Sequence, residues 1–503
     1  MNNQQSPVNK PASQGLGKPS QIPTKLVRFV YGTGDLGRAS FNTLRQFFYA
    51  IFLTDVVGLD PRLASVAAFV SILWDAANDP IVGALSDNVR TRWGRRRPFL
   101  LLFSVPFMLA FLILWWAPPW QSQVLLMIHV TLAYMVSDTL QTLVTVPYLS
   151  LTPELAPEYD ERTTLTSIRM FFNLISSLAT AVAAPMIMDA TVNAGLSLQQ
   201  GYLTIAALFG GIAVIPFILI FFSVREQEVL EQPSPENNTL RKTIAILWQN
   251  KPFRYAMGIY VLNWISFDLV GLMLPFYLLY WISEGNLLAK FSIFGLRMSI
   301  ESVVFGIMLI TATLTIPLWN WIAQKTSKRL AYIAGLVFWI AVQLAILLIT
   351  PGQSKLIVFL SFLAGIGVST AHIMPDAIFP DVIDWDEFRT HTRREGMYYG
   401  AINLIRKISS ALAIFLALQV LGWAGYQTPP DNAVLFVQSP NTLLIIRLLT
   451  GPLVVVFLLS AVLIAYFYPI TRERQMRIRL SLIKRKQRIK DKRETLKWHG
   501  GKA

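Results

Sequence analysis

Two aspartates and an asparagine interrupt an apolar stretch early in the sequence. The segment SILWDAANDPIVGAL places Asp75, Asn78 and Asp79 among residues that favour a hydrophobic environment. On an α-helix, residues four apart share one face and lie about 6 Å apart along the axis, so the two carboxylates would be neighbours. An ionised aspartate at membrane depth costs on the order of 3 kcal/mol on insertion scales. The pattern therefore indicates a group of residues that needs a specific partner.

Three kinds of partner would make this pair of carboxylates tolerable. A cation between them, protonation of one of them, or a cationic side chain would each remove the repulsion. The first two describe an ion or proton site, and the third is a structural arrangement. Basic residues at a comparable depth are Lys407, Arg169, Arg38 and Arg45. For Arg38 and Arg406 we expect the side chain to extend toward the membrane interface.

Further polar residues follow helical faces in other apolar stretches. Asp138, Thr142 and Thr145 have the i, i+4, i+7 spacing of one helical face. Asp35 and Asn42 are seven residues apart and share a face of another helix. Such faces could line a wet cavity that binds a polar solute by hydrogen bonding and aromatic stacking. Hydrogen bonds between helices are the alternative explanation, more so for the threonines than for the aspartates. The residues are Asp35, Asn42, Asp138, Thr142, Thr145, Asn263, Trp264 and Asp268.

An arginine-rich turn, SDNVRTRWGRRRP, follows the acidic segment. Asp87, Arg92, Arg95 and Arg96 lie within it, and such residues can pair with acidic side chains and with helix C-termini. We therefore expect this turn to act as a conformational latch between helices and not as a solute site.

Several classes of chemistry find no support in the sequence. The chain has no cysteine, no GxxxxGK[ST] loop for nucleotide phosphates and no Cys/His metal cluster. No nucleophile, base and orienting group stand out together. We therefore predict a protein that is not an enzyme and that needs no cofactor other than a coupling ion.

The composition predicts a protein that crosses a membrane many times. The 503 residues are 54% hydrophobic and only 15% charged, whereas a soluble domain carries nearer a quarter charged residues. Apolar windows of about twenty residues, the length that crosses a bilayer, occur twelve times. We predict an all-α polytopic protein with spans near 28–53, 62–86, 99–117, 122–151, 164–190, 200–223, 252–282, 293–323, 330–350, 355–379, 397–425 and 441–469.

The loops predict the orientation and the division of the chain. Lys and Arg concentrate in the even-numbered loops, so these loops and both termini should be cytoplasmic. The ends of the fourth and tenth spans, VPYLSLTPELAPEYDERT and MPDAIFPDVIDWDEFRT, resemble each other, which favours two related six-helix halves around a cavity. The predicted regions are a disordered N-terminal tail (1–27), two six-helix halves (28–223 and 252–470), a central loop (224–251) and a basic C-terminal tail (471–503).

The C-terminal tail holds much of the net charge. Residues 471–503 contain thirteen Lys or Arg against three Asp or Glu, out of a net charge of +15 for the chain. A basic tail can bind nucleic acid, but beside so many spans contact with anionic lipid is the expected role. We predict no nucleic-acid partner.

Several segments together resemble the glycoside–pentoside–hexuronide:cation symporter family of the major facilitator superfamily, to which melibiose permease belongs. They are YGTGDLG, FLTDVVGL, WDAANDPIVGALSDNVRTRWGRRRPF, VPYLSLTPEL and FPDVIDWDEFRTHTRREGMYYG, and the likeness runs from about 27 to 468. The resemblance implies the major facilitator fold, and symport of a sugar-like solute with Na⁺ or H⁺ by alternating access. It also implies a monomer in the cell membrane.

The resemblance also implies roles for single residues. Asp75 and Asp79 fall on the two aspartates that coordinate the coupling cation in that family, so Na⁺ is a possible ligand of this pair. Asn78, Thr142 and Lys407 fall on positions that contribute to the same site. Arg169 falls on an arginine that shapes the sugar cavity.

The chain departs from the galactoside-binding pattern. Where melibiose permease binds its galactoside with two aspartates, this sequence has Ala39 and Thr145. Asp35 and Asp138 lie about one and two turns away and are the candidates to replace them, so melibiose itself is not predicted. Two alternatives stay open: a cation-independent facilitator or lysolipid transporter on the same fold, and a membrane scaffold or sensor that transports nothing.

Overall fold

A computed structural model of the chain describes residues 24–156, 159–224, 226, 240–293, 295–392, 394–430 and 433–500. These residues are almost entirely helical. The first helices are α1 (Lys25–Asp55), α2 (Pro61–Asn88), α3 (Arg97–Leu114), α4 (Gln123–Ser150), α5 (Thr152–Leu155), α6 (Tyr159–Asn193), α7 (Leu198–Ser223), α8 (Leu240–Gln249) and α9 (Lys251–Phe276). The others are α10 (Ile300–Leu314), α11 (Ile316–Lys325), α12 (Lys328–Ile346), α13 (Ser354–Thr390), α14 (Glu395–Trp423), α15 (Pro440–Thr450), α16 (Pro452–Tyr466) and α17 (Arg472–Gly500).

The predicted all-α architecture is confirmed, and each of the twelve predicted spans has a helical counterpart. Three counterparts are composite: α9 continues as a π-helix (Tyr277–Ile282), α10 is followed by α11, and α15 by α16. Within the described residues, ten helices are long and apolar enough to cross a membrane. Helices α1 and α2 have the length, with 31 and 28 residues, but are more polar because they carry much of the site described below.

Helix starts are fixed by side chains that accept hydrogen bonds from unpaired backbone N–H groups. The Asp60 carboxylate accepts from the Arg62 N–H at 2.8 Å before α2, and Asn250 accepts from the Phe253 N–H at 3.2 Å before α9. Before α7, Ser197 and Gln200 exchange side-chain and backbone hydrogen bonds as a capping box. These caps place the helix starts within two residues of the predicted span boundaries.

Some predicted boundaries are wrong. The start of span 293–323 is part of a hairpin of β1 (Lys290–Ile293) and β2 (Leu296–Ser299), in which Gly295 has a φ of +84° that suits a tight connection. Helix α13 continues eleven residues past the predicted end at 379, because the charged residues that follow remain helical outside the apolar stretch.

The predicted tails and central loop also contain helices. Helix α8 lies within 224–251, α17 covers most of 471–503, and α1 begins at Lys25, inside the predicted N-terminal tail. The rest of that tail, residues 1–23, lies outside the described residues. The basic tail packs on α13, where Gln475 donates to Asp381 and the Arg474 guanidinium lies over Trp385.

The helices form two halves that meet along two seams. Helix α1 packs along α6 and α7, and α4 along α2 and α3; in the second half, α13 packs along α10 and α12, and α16 along α9 and α12. The seams lie where α2 meets α14 and where α6 meets α10, and α1 also contacts α9 across the halves. We call the end of the bundle where α1 begins and α16 leads into α17 the tail face, and the other end the far face.

Close packing of α1 against α7 depends on a glycine. A Cβ atom at Gly37 would lie 2.4 Å from the Ala213 Cβ and 2.7 Å from the Ala213 Cα. Contacts this short cannot form without moving one helix. Glycine therefore sets the distance between these two spans.

We expect Gly37→Ala to destabilise the protein by about 1–3 kcal/mol, because added volume in a packed interface forces backbone shifts. The measurement is the thermal unfolding temperature of the purified protein in detergent. Gly211→Ala is the control, since a Cβ at Gly211 would meet nothing within 4 Å. Equal unfolding temperatures for Gly37→Ala and wild type would contradict this packing.

Candidate functional site

A lysine of the second half lies between the two aspartates of the first half. Lys407 Nζ is 2.8 Å from Asp75 Oδ1 and 2.6 Å from Asp79 Oδ2, and it donates to the Asp75 carbonyl oxygen at 3.2 Å. A cation, a proton or a cationic side chain could each offset the repulsion between Asp75 and Asp79. The structure contains the cationic side chain, which is Lys407. The Asp79 side chain is 45% exposed and that of Asp75 is 16% exposed, so the group remains accessible from the Asp79 side.

Helix geometry explains why these groups meet. Asp75 and Asp79 lie one turn apart on α2, and α14 packs along this helix. Lys407 follows Arg406 on α14, and consecutive helical residues project in directions about 100° apart. Lys407 therefore reaches the first half, whereas Arg406 contacts residues of its own half.

Two other predicted members of the cation group are buried, one on α2 and one on the neighbouring α4. Asn78 on α2 is 3% exposed, and its Nδ2 has no hydrogen-bond partner among the described residues. Thr142 is buried on α4, which packs along α2. Within the described residues, no group of three or more carboxylate, imidazole or thiol side chains is arranged to hold a metal ion.

A second buried ion pair lies between α1 and α4. Arg45 Nη1 is 2.9 Å from Asp138 Oδ1, and the Asp138 side chain is 2% exposed. The guanidinium lies over the rings of Phe41 and Tyr134, at 4.9 and 4.4 Å from their centroids. Arg45, expected as a partner for the aspartates of α2, thus has Asp138 as its direct partner and interacts with Asp75 at longer range.

The first helix carries another buried carboxylate, which two arginines share. Asp35 is fully buried, and its oxygens lie 2.7 Å from Arg38 Nε and 2.7 Å from Arg169 Nε. The Tyr148 hydroxyl donates to the same carboxylate at 3.3 Å. The expectation that Arg38 extends toward the interface is wrong, because its buried partner holds it inside the bundle.

The second half contributes an aromatic and charged wall. The Arg406 guanidinium lies 3.9 Å from the centroid of the Trp264 ring and 3.9 Å from Asp268 Oδ1. His372 packs against the rings of Trp264 and Phe267, at 5.6 and 5.9 Å between centroids. Arg406 therefore also departs from the expected interfacial position, since it stacks on an indole ring beside a buried carboxylate.

The remaining predicted solute residues occupy different settings. Asn42 accepts a hydrogen bond from Gln141 of α4 at 3.4 Å, and Thr145 is half-buried on α4. Asn263 donates to the Ala371 carbonyl at 2.8 Å and accepts from Tyr332 at 3.3 Å. Asn263 thus joins helices of the second half, as the structural alternative predicted.

The arginine-rich turn forms a cluster at the tail face. Arg95 Nη2 and Arg96 Nη1 lie 2.9 and 2.6 Å from Glu154 Oε1, and Arg96 Nη2 lies 2.9 Å from Asp87 Oδ1. Burial raises the pKa of the Glu154 carboxyl, and the two arginines oppose this effect. Arg92 does not join the cluster but stacks on Trp93, at 4.8 Å from the ring centroid.

Glu226 completes this cluster, and no sequence signal pointed to it. Its carboxylate accepts hydrogen bonds from the backbone N–H groups of Arg95, Arg96 and Arg97 at 2.5, 2.7 and 2.7 Å, at the start of α3. An acidic group at a helix N-terminus is stabilised by the unpaired N–H groups there. Glu226 lies in the predicted central loop and could not be assigned to α3 from the sequence.

A further group without a sequence signal joins the two halves near the far face. The half-buried carboxylate of Asp55, at the end of α1, accepts hydrogen bonds from the hydroxyls of Tyr280, at 2.5 Å, and Tyr426. The hydroxyl oxygens of Tyr280 and Tyr426 lie 3.1 Å apart. Tyr280 lies in the π-helix, a distortion that often occurs at functional positions.

Hydrogen bonds between the two halves run from the middle of the bundle to the far face. Besides the contacts of Lys407 and Asp55, Gln419 of α14 donates to the Ser65 hydroxyl at 2.8 Å, and Ser302 of α10 donates to the Val182 carbonyl at 2.8 Å.

Glu154→Gln should destabilise the protein by about 3 kcal/mol, because it leaves two arginines without their buried partner. Its side chain is 4% exposed, whereas Asp87, which pairs with the same Arg96, is 57% exposed. Asp87→Asn is therefore the matched control, with an expected loss below about 1 kcal/mol. Thermal unfolding of the two variants measures the difference, and equal losses would contradict the assigned roles.

Known proteins match this chain over most of its length. The family model described as MFS/sugar transport protein matches residues 30–472. The uncharacterized symporter sll1374 of Synechocystis sp. is 30% identical, with 92% of this chain and 97% of that protein covered. The sodium-dependent lysophosphatidylcholine symporter 1-A of Danio rerio is 28% identical, covering 90% and 88%. The isoprimeverose transporter of Lactiplantibacillus pentosus is 24% identical, covering 84% of each chain.

Solved structures agree with the fold. A bacterial homologue of the human drug peptide transporters superposes with a TM-score of 0.61 at 12% identity, covering 90% of this chain and 99% of that one. A D-xylose–proton symporter gives a TM-score of 0.58 at 14% identity, covering 88% and 96%. The major facilitator fold predicted from the sequence is confirmed, and the chain belongs to the MFS/sugar transport family of multi-pass membrane transporters.

Proposed function

We propose that the protein is a secondary active transporter that moves a sugar or glycoside together with Na⁺ or H⁺ by alternating access. The observation that carries this proposal is the pairing of Lys407 with Asp75 and Asp79 across the two halves. An ammonium group occupies a position suited to a monovalent cation, at a point where both halves meet. Cation binding there would change the contacts between the halves.

The cation chemistry is assigned to a small group on three helices. Asp75 and Asp79 provide negative charge, Asn78 and Thr142 lie buried beside them, and Lys407 is the countercharge. A cation that binds the carboxylates competes with the lysine, which weakens the link between α2 and α14. The ion can shift the equilibrium between conformations only by its difference in affinity for them, and this contact supplies such a difference.

We assign the solute site to the space between the charged side chains of the first half and those of the second half. Asp35, Arg169 and Asp138 lie on the first half, and Trp264 and Asp268 on the second, with Asn42 and Thr145 as additional polar groups. Carboxylates and guanidinium groups can bind sugar hydroxyls, and an indole ring can pack against the apolar face of a sugar. The isoprimeverose transporter among the relatives supports a glycoside.

A lysolipid is the second candidate solute. It is favoured by the relative from Danio rerio, whose name states sodium-dependent lysophosphatidylcholine symport and which covers 90% of this chain. The charged groups of the cavity would bind the polar head, and the aromatic side chains beside Trp264 would contact apolar parts of the molecule. Both candidates use the same fold and the same cation group.

The orientation follows from the positive-inside rule. The tail face carries the arginine-rich turn and the basic helix α17, so we place it and both termini in the cytoplasm of a cell-membrane protein. Asp55 and its two tyrosines would then lie on the external side and join the two halves there. The transport path lies within one chain, and a monomer therefore suffices.

We expect Na⁺ to raise the thermal unfolding temperature of the wild type when NaCl replaces choline chloride at fixed ionic strength. A ligand at 100 times its dissociation constant stabilises by about 2.7 kcal/mol, so the effect is measurable. In Asp75→Asn the response to Na⁺ should disappear. Lys328→Gln, which removes an ion pair with Asp381 elsewhere in the second half, is the control that should retain it.

Uptake by proteoliposomes then separates the candidate functions. An imposed Na⁺ or pH gradient should drive accumulation of a glycoside, with lysophosphatidylcholine as the second arm. Uptake of either solute that ignores both gradients, or gradient-driven uptake that survives the Asp75→Ala, Asp79→Ala double substitution, would contradict coupled symport at this group.

Asp55→Asn should favour the conformation open to the outside, because it weakens the hydrogen bonds that two tyrosines donate to a charged acceptor. Such bonds contribute about 1.5–3 kcal/mol each. The chain contains no cysteine, so Ser302→Cys alone provides a reporter between the halves. Ser302 is 1% exposed. Its labelling by a membrane-impermeant maleimide from outside should accelerate about tenfold in the Asp55→Asn background.

Tyr280→Phe and Tyr426→Phe should each accelerate labelling less than Asp55→Asn. Asp60→Asn is the matched control, because Asp60 is also an acidic residue near the far face but forms its ion pair with Arg62 of its own half. Equally slow labelling in the wild type and in Asp55→Asn, Tyr280→Phe and Tyr426→Phe would show that these hydrogen bonds do not control opening at the far face.

A further inference from the structure

Three basic residues of the second half converge at one point of the tail face. Lys325 ends α11, Arg329 lies in the first turn of α12, and Arg472 begins α17. Arg472 Nη1 donates to the carbonyl oxygens of Lys325 and Thr326, at 3.2 and 3.3 Å. These hydrogen bonds hold the start of α17 against the end of α11, less than one helical turn before Arg329. We call Lys325, Arg329 and Arg472 the basic rim.

The basic rim forms no ion pair with an acidic side chain among the described residues. Glu473, the sequence neighbour of Arg472, has Arg477 as its ion-pair partner, at 3.9 Å. The buried carboxylate of Asp381 pairs with Lys328, at 2.8 Å. Because these two carboxylates have other partners, the rim keeps an excess of positive charge.

Exposed aromatic rings accompany two of the three cations. The Lys325 ammonium lies 4.2 Å from the centroid of the Trp321 ring, and the Arg329 guanidinium lies 5.3 Å from that of Tyr466. Both rings are exposed. Consecutive helical residues project about 100° apart, so Arg329 points away from the direction that Lys328 takes toward its buried partner. The rim therefore lies on the outer surface of the second half.

The basic rim also lies where three membrane-crossing segments end or begin. The segments Ile300–Lys325 and Pro440–Tyr466 end there, and the segment Lys328–Ile346 begins there. This position corresponds to the boundary between the hydrocarbon of a bilayer and its headgroups, where Trp and Tyr side chains are enriched. Basic pockets between membrane helices at this depth bind phospholipid headgroups.

An exposed apolar stripe leads along α11 to the rim. Leu314, Leu318 and Trp321 are exposed and, together with Lys325, have the i, i+4, i+7, i+11 spacing of one helical face. In a protein that crosses the membrane, such a face contacts lipid chains. A phospholipid whose chains follow this stripe has its phosphate beside Lys325.

We propose that the basic rim binds the phosphate groups of an anionic phospholipid from the leaflet at the tail face. The acyl chains lie along the exposed face of α11, and Lys325, Arg329 and Arg472 contact the headgroup. Three positive charges suit the two phosphates of cardiolipin better than the single phosphate of phosphatidylglycerol, and phosphatidylcholine carries no net charge. The site goes beyond the transport function proposed above, because none of its residues belongs to the cation group or to the solute site.

A lipid in this position joins three helices. It contacts the ends of α11, α12 and α17 at once, and α17 in turn packs on α13, with Gln475 donating to Asp381 and Arg474 lying over Trp385. Bound lipid therefore stabilises the fold and holds the basic tail in place. Within the tail, this assigns lipid binding to Arg472 and not to the summed charge of the whole segment.

The test measures thermal unfolding of the purified full-length protein in detergent while cardiolipin, phosphatidylglycerol or phosphatidylcholine is added. Cardiolipin should raise the unfolding temperature at the lowest concentration, and phosphatidylcholine should have no comparable effect. The triple variant Lys325→Gln, Arg329→Gln, Arg472→Gln should need about tenfold more cardiolipin for half of the effect. The matched control is Arg479→Gln, Lys484→Gln, Arg488→Gln, which removes the same charge from exposed positions of α17 and should respond as the wild type does.

The results that would overturn the inference are distinct. Equal losses of response in the two triple variants would show that cardiolipin senses only the overall charge. A wild type that responds to phosphatidylcholine as it does to cardiolipin, or to no lipid, would exclude an anionic-lipid site. An equal response to inorganic phosphate would assign the rim to a soluble anion. If the rim variant does not fold, Lys325→Gln decides, since this side chain is exposed, and an unchanged cardiolipin response would then contradict the site. The response of the wild type to Na⁺ is unaffected by any of these outcomes, so coupled symport is tested separately.

Discussion

The contact of Lys407 with Asp75 and Asp79 is the interaction on which the rest of the structure depends. It is an ion pair between the two halves, near the middle of the bundle. Removing charges from water is expensive, and their mutual attraction compensates only when the geometry is good. The halves are therefore joined by an interaction that is strong when intact and that a competing cation can weaken.

The same constraint organises the first half. Asp35, Arg38, Asn42 and Arg45 follow one face of α1, and this face meets α4 and α6, where Asp138 and Arg169 supply opposite charges. Asp35 and Arg45 each have a partner on a neighbouring helix, so these helices hold their register through polar contacts as well as packing. The polar face of α1 is also the reason why this helix is less hydrophobic than the other spans.

The features that depend on one helix alone could be predicted from the sequence. The spacing of Asp75 and Asp79 gave their common face, the apolar windows gave the twelve spans, and the depth of Lys407 made it a candidate partner. The pairing of Arg45 with Asp138, the stacking of Arg406 on Trp264 and the hydrogen bonds from Tyr280 and Tyr426 to Asp55 were not predicted. These contacts depend on how one helix is rotated relative to another. The periodicity of residues within a single helix carries no information about that rotation.

Two kinds of contact join the halves between the middle of the bundle and the far face, and they differ in what could break them. Under the proposed function, a cation would weaken the ion pairs of Lys407, because it would compete for the same carboxylates. The hydrogen bonds to Asp55 involve no such competitor, so the ion would act on them only through movement of α1 and α14. A loaded cation site would therefore weaken the link at the middle of the bundle first, and opening at the far face would follow. This order would favour coupled transport over leakage of the ion, because the far face would stay closed until the halves move as units.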